Sequence, residues 1–103
     1  MNDVFTALAE PQRRRIVELL LGGERGVNEV AEALALGQPS ASKHLKALER
    51  AGLASVRRDA QRRRYRLRPA GLSALDAWLA PYRRLWADRL DALEQHLDEM
   101  EDT

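Results

Sequence analysis

The stretch from 38 to 68, QPSASKHLKALERAGLASVRRDAQRRRYRLR, constrains the fold of this chain more than any other. Its first half places apolar residues at a helical spacing and its second half alternates, so a helix must be followed at once by short strands. Pro39 suits the first turn of that helix, where its missing N–H costs nothing, and Gly52 ends it. At about 100° per residue, Ala41, Leu45 and Leu48 fall on one side. Lys43, Lys46, Ala47 and Arg50 point roughly the other way, flanked by Ser40 and Ser42. Along 62 to 68, Arg62, Arg64, Arg66 and Arg68 share one face, and Arg63, Tyr65 and Leu67 share the other. That is a half-buried strand with a basic outer surface. Leu53 and Val56 begin its partner, and Asp59-Ala60-Gln61 is the turn.

The charge is sorted along the chain. These 31 residues hold ten Lys/Arg against two acids, Glu49 and Asp59, while the remaining 72 hold seven against fourteen. The net charge is only +1, yet a local basic excess on an ordered pattern is the footprint of a phosphate-backbone partner.

The rest of the chain reads as helices. Asn2 or Asp3 is placed to cap a first short helix with Val4, Phe5 and Leu8 on one side. Pro11 opens a second, with the stripe Ile16, Val17, Leu19 and Leu20, and Gly22-Gly23 ends it. Arg25-Gly26-Val27 is compatible with a short edge strand. Asn28 is the expected cap of a third helix carrying Val30, Ala31 and Leu34, which Leu36-Gly37 closes. From Pro69 to Met100 apolar or aromatic residues recur in steps of three and four, in phase across Pro81. The pattern predicts one long helix bent at Pro81; two shorter helices meeting at Ala80-Pro81 are the alternative.

The length of 103 residues predicts one domain, residues 1–103, small enough to share a core with a second copy. No apolar run approaches the roughly 20 residues of a membrane span, and the N-terminus lacks the charge pattern of a secretory signal, so no membrane partner and a cytoplasmic location are expected. The absence of cysteine removes disulfides, thiolate metal sites and thiol redox switches together.

Two short helices joined by a tight turn, the second presenting small and cationic side chains, form a helix-turn-helix. A helix entering a major groove about 12 Å wide needs short side chains for close approach and donors for bases or phosphates. An ordinary solvated amphipathic helix would show the same face, but the tight turn before it and the arginines after it favour DNA. Arg57, Arg58, Arg62, Arg63 and Arg64 are placed for phosphates or a minor groove, where a guanidinium fits the negative potential. Charge also protects a strand edge from aggregation, although lysine is commoner there.

The order of elements, with ALAEPQRRRIVELL at 7–20, NEVAEAL at 28–34, QPSASKHLKALERAGLASVRRDAQRRRYRL at 38–67 and LDAWLAPYRRLW at 75–86, resembles the winged-helix repressors of the ArsR type, in their metal-free branch. The resemblance covers nearly the whole chain. It implies a mainly α fold with a small β-hairpin wing, that is, a winged helix-turn-helix with a recognition helix at 38–51, a wing at 53–68 and a long C-terminal dimerisation helix at 69–100. It implies a homodimeric repressor of double-stranded operator DNA. The positions matching the recognition helix are Gln38, Ser40, Ser42, Lys43, His44 and Lys46, and those matching the wing are Arg62 and Arg64. His44 lies at the border of the buried and exposed arcs and is expected either to hold its helix or to touch a phosphate. The wing tip departs from the pattern, since DAQ has no glycine.

A metal effector is not expected. The family site that uses cysteines on the third helix would fall at Val27–Ala31, which offers none. The site on the last helix would need ligands near Arg83, Arg84 and Leu85 beside His96 and Glu99, and two ligands of four do not make a zinc site. No cofactor is expected, and the small-molecule effector is left unknown. Leu75, Trp78, Leu79, Tyr82, Trp86, Leu90, Leu93 and Leu97 form an apolar surface that a small domain cannot cover alone, and with Phe5 and Leu8 they are the expected dimer interface. Eight acids and three arginines from 75 on keep that helix away from DNA. The alternative function is a winged-helix module that binds a protein and not DNA, which Lys43, Lys46 and the arginines oppose. No constellation suits an enzyme.

Overall fold

A computed structural model describes residues 3–101 and is mainly helical with one small antiparallel sheet. The described elements are α1 (Val4–Ala9), α2 (Pro11–Leu21), β1 (Arg25–Gly26), α3 (Val27–Leu34), α4 (Gln38–Arg50), β2 (Ala54–Asp59), β3 (Arg62–Leu67), a 3-10 turn (Pro69–Leu72) and α5 (Ser73–Glu101). They group into two compact units, one ending at Ser73 and one beginning at Ala74.

In the first unit α1 is capped by Asp3, whose carboxylate accepts the Thr6 N–H at 2.7 Å; Asn2, the other expected cap, lies outside the described residues. Glu10 caps α2 in the same way through the Arg13 N–H at 2.9 Å. The arginines that open α2 turn back on α1. Arg13 Nε donates to the Ala7 carbonyl at 2.7 Å and Arg14 Nη1 to the Leu8 carbonyl at 2.7 Å. They satisfy carbonyls that a helix end leaves without partners.

α3 begins one residue earlier than its expected cap. Gly26 occupies the cap position, and Glu29, in the first turn, accepts the Gly26 N–H at 3.1 Å through Oε1. Asn28 therefore lies inside the helix. The turn into α4 is tight: Ala35 is left-handed at φ 54°, and the Leu36 N–H donates to the Ala31 carbonyl at 2.9 Å. α4 ends similarly, with Gly52 at φ 78° and the Leu53 N–H on the Leu48 carbonyl at 2.9 Å.

The sheet order is β1-β3-β2, so the two-residue β1 completes a sheet whose other two strands form the hairpin. The register pairs Ala54 with Leu67, Val56 with Tyr65 and Arg57 with Arg64. On the other side of β3, Arg25 pairs with Tyr65 and Gly26 with Arg64. Ala60 and Gln61 make the hairpin turn, and Ala60 takes φ 58° where a glycine would be unstrained. The core of this unit is built from Ile16 and Leu20 of α2, Val30 and Ala31 of α3, Ala41, Leu45 and Leu48 of α4, and Leu53, Ala54 and Tyr65. Tyr65 is the largest side chain with no exposed surface.

α5 belongs to the second unit save for its first residue. It is one helix of 29 residues with Pro81 inside it, so the two-helix alternative does not hold. It starts at Ser73 rather than Pro69, because the first four residues of the expected span form the 3-10 turn. A Cβ on Gly71 would collide with the Gly52 carbonyl, so the chain leaving the wing passes directly over the end of α4. No helix of the described residues is long and apolar enough to cross a membrane.

That close approach predicts that Gly71→Ala destabilises the protein by about 1–3 kcal/mol through overpacking, read as a lower midpoint of urea unfolding. A midpoint equal to that of the unmutated protein would contradict the packing of the 3-10 turn on Gly52.

Candidate nucleic-acid interface

α4 buries the residues that its periodicity assigns to the inside. Ala41, Leu45 and Leu48 have no exposed surface, while Gln38, Lys43, Lys46 and Arg50 are exposed and Ser40 and Ser42 are half-buried. The exposed face therefore carries an amide, hydroxyls and cations and no large apolar side chain, which leaves room for close approach to a groove.

The wing stands beside that face. Gln38 and Ser42 of α4 line one open cleft of about 440 Å³ together with Gln61, Arg62, Arg63 and Arg64 of the hairpin and Gly26 to Glu29 at the start of α3. Three elements distant in sequence thus bring hydroxyl, amide and guanidinium groups to one concave surface. Arg58, Arg62 and Arg63 are exposed, and none of them forms an ion pair among the described residues.

Two of the expected DNA-binding arginines sit differently. Arg57 and Arg64 face each other across β2 and β3, and Glu24, in the loop before β1, lies between them. Glu24 Oε1 accepts from Arg57 Nη2 at 2.6 Å and from Arg64 Nε at 2.9 Å. Glu29 Oε1 takes Arg64 Nη1 at 3.1 Å. The hydrogen bonds from Arg57 and then Arg64 hold the Glu24 carboxyl below the ordinary value of 4.5. The Gly26 N–H, with Arg64 beside it, does the same for Glu29. Farther down the ladder Arg66 Nε donates to Ser55 Oγ at 3.1 Å.

His44 is also turned away from the exposed face. Its side chain is mostly buried, and Nδ1 has no hydrogen-bond partner and lies 3.8 Å from Glu10 Oε2. It faces the cap of α2, not the cleft. Glu24 and Glu29 were missed by sequence reasoning. They lie 33 and 35 residues before their nearest arginine partners, and no local pattern marks an acid as the partner of a distant strand.

In the second unit no residue of α5 is buried. Trp78, Tyr82, Leu85, Trp86, Leu90, Leu93, Leu97 and Met100 are large apolar residues with substantial exposure. Leu75 and Leu79 are half-buried, as is Leu8 of α1, while Phe5 is exposed. The Trp78 and Tyr82 rings lie 4.8 Å apart. Arg83 pairs with Asp76 at 2.8 Å. Among the described residues, no group of three or more His, Asp or Glu side chains gathers to hold a metal ion.

Comparison with known proteins gives a consistent result. The model of bacterial regulatory proteins of the arsR family matches residues 10–56, from the cap of α2 into β2. The chain is 42% identical over 97 residues to the HTH-type transcriptional regulator Rv2034 of Mycobacterium tuberculosis, covering 94% of this chain and 88% of the other. It is 37% identical over 79 residues to the transcriptional repressor SdpR of Bacillus subtilis, covering 77% and 88%. Among solved structures it is similar to the homodimeric winged helix-turn-helix DNA-binding domain of a possible ArsR-family transcriptional regulator from Mycobacterium bovis, with a TM-score of 0.65, 34% identity and coverage of 79% and 75%.

The carboxyls of Glu24 and Glu29 are expected to titrate below 4.5, measured by carbon-detected NMR. Because their folded values are depressed, the pairing is present above the unfolded value and is lost as the pH falls through the lowered one. Midpoints at or above 4.5 would show that Glu24 lacks its arginine contacts in solution and that Glu29 lacks the Gly26 N–H and the Arg64 beside it.

Proposed function

The chain belongs to the arsR family of bacterial regulatory proteins, and we propose that it is a homodimeric transcription repressor binding a partly palindromic operator. As a DNA-binding regulator it is not assigned a reaction, and we place it in the cytoplasm, where its DNA partner is.

The carrying observation is the cleft that joins the start of α4 to the wing. Gln38, Ser40, Ser42, Lys43 and Lys46 would face the major groove, with the hydroxyls and amide reaching base edges and the lysines reaching bases or phosphates. Arg58, Arg62 and Arg63 would bind the flanking backbone or enter a minor groove. His44, packed on Glu10, would hold α4 in place rather than touch DNA.

Phe5, Leu8, Leu75, Trp78, Leu79, Tyr82, Trp86, Leu90, Leu93 and Leu97 would form the dimer surface. The solved relative from Mycobacterium bovis is homodimeric, which supports this reading. Two-fold pairing would set two recognition helices about one DNA turn apart, roughly 34 Å. Repression would follow from covering DNA that the polymerase needs, the protein's own promoter included.

Selection from random duplexes should enrich a two-fold related sequence, and the log of its affinity should fall linearly with log salt at about 0.9 per phosphate neutralised. Affinity independent of salt, or no enrichment, sinks the repressor reading. Ser42→Ala or Lys46→Ala should change base preference, whereas Arg62→Ala should weaken selected and random DNA alike. For the dimer, Leu90→Glu with Leu93→Glu should convert it to monomer in sedimentation and abolish preference for two half-sites over one; a dimer unchanged by both would remove α5 from the interface.

A further inference from the structure

Resting on the DNA-binding reading, we propose that Glu24 is a positioning residue for the wing: with Glu29 it withholds Arg57 and Arg64 from the phosphate backbone and so limits the wing's affinity for DNA of any sequence. Arg57 and Arg64 are register partners, so their side chains leave the same face of the sheet side by side. Like charges directly opposite each other across a ladder repel. Glu24 resolves that repulsion with one carboxylate, accepting from Arg57 Nη2 at 2.6 Å, Arg64 Nε at 2.9 Å and, more weakly, Arg57 Nε at 3.4 Å. Glu29 then holds Arg64 Nη1 at 3.1 Å from the first turn of α3, through the oxygen that also accepts the Gly26 N–H. Arg64 is thereby held by acids from two elements, and its side chain is only 25% exposed.

The consequence for binding is electrostatic. A phosphate approaching Arg57 or Arg64 replaces a charge-assisted bond that already exists, so the exchange gains little. A phosphate approaching Arg58, Arg62 or Arg63 meets a cation with no acid partner among the described residues. Backbone neutralisation supplies nearly all non-specific binding, whereas base contacts supply discrimination. Withholding two of the five wing arginines expected at DNA therefore lowers the sequence-independent part of the affinity and leaves the α4 face untouched. The same contacts tie the wing to the loop before β1 and to the first turn of α3, which sets where the remaining arginines stand relative to α4.

The test compares salt dependence on random duplex DNA. Glu24→Gln should release Arg57, steepening the slope of log affinity against log salt by about 0.9 per protomer and raising affinity for random DNA roughly fivefold at physiological salt. The ratio of operator to random binding should fall. Adding Glu29→Gln, which keeps an acceptor for the Gly26 N–H, should steepen the slope by about 1.8 in all. In the otherwise unmutated protein Arg57→Gln should leave the slope unchanged, whereas Arg58→Gln should reduce it by about 0.9. A slope unaltered or made shallower by Glu24→Gln, or an Arg57→Gln loss equal to that of Arg58→Gln, overturns the proposal. The clasp is also read without DNA, from hydrogen exchange at Arg64 Nε. Slow exchange in the unmutated protein and fast exchange in the Glu24→Gln protein support it, and fast exchange in both overturns it. Failure of the unmutated protein to bind DNA at all would instead sink the repressor reading.

Discussion

Tyr65 has no exposed surface, and its burial decides how the whole wing is oriented. In a strand the side chains alternate, so fixing one residue inward fixes the face of every other. With Tyr65 in the core, Arg62, Arg64 and Arg66 must point to the opposite face, toward the ladder partners Asp59, Arg57 and Ser55. A one-residue slip would drive arginines into a core of leucine, isoleucine and valine and leave Tyr65 in water. The strand that anchors the sheet is therefore also the strand that displays its charge. That is why a hairpin of six-residue strands can hold so many cations in a defined place.

Concentrating cations on one face creates a problem that acids from elsewhere in the chain solve. The basic stretch holds only Glu49 and Asp59 among its own acids, too few for its ten cations. The missing anions come from Glu24 and Glu29, which the fold brings beside β3 because β1 pairs with that strand and α3 starts where β1 ends. Exposed ion pairs of this kind add little to stability. Their effect lies in which charges remain available to a partner. On the proposed reading the charge offered to DNA would be smaller than the sequence count and concentrated on Arg58, Arg62 and Arg63 of the hairpin and on α4.

Much of this was legible in the chain, and the parts that were not rest on backbone geometry or on contacts distant in sequence. The inward face of α4 followed from the spacing of Ala41, Leu45 and Leu48, and the wing's two faces from the alternation along 62 to 67, because both are local periodicities. The continuity of α5 through Pro81 followed from an apolar phase that the proline does not shift. The hairpin turn followed in position, at Asp59-Ala60-Gln61, but not in geometry, because Ala60 adopts a positive φ that its residue type disfavours. The cap of α3 lies two residues before the expected one, because Gly26 fills the position through its backbone alone although Asn28 has the better capping side chain. The orientation of His44 and the grip of Glu24 on two strands depend on contacts far apart in sequence, to which no periodicity points.

The division of the chain into two units matches a division of chemistry. Cations, hydroxyls and a concave cleft lie in the first; a helix with no buried residue and a row of exposed aromatic and leucine side chains makes up the second. Single apolar residues on a surface need no explanation, but a row of them at helical spacing over six turns or so is more than a stable monomer exposes. The acids interleaved with that row, Asp88, Asp91, Glu94 and Asp98 among them, make it a poor surface for nucleic acid and a suitable one for protein. A second copy of the same helix offers a matching apolar row, and two-fold symmetry pairs each patch with itself. Each half of the proposed function thus needs the other. One unpaired wing and recognition helix would read too few bases to select a site, and a paired helix without them would have no DNA to hold.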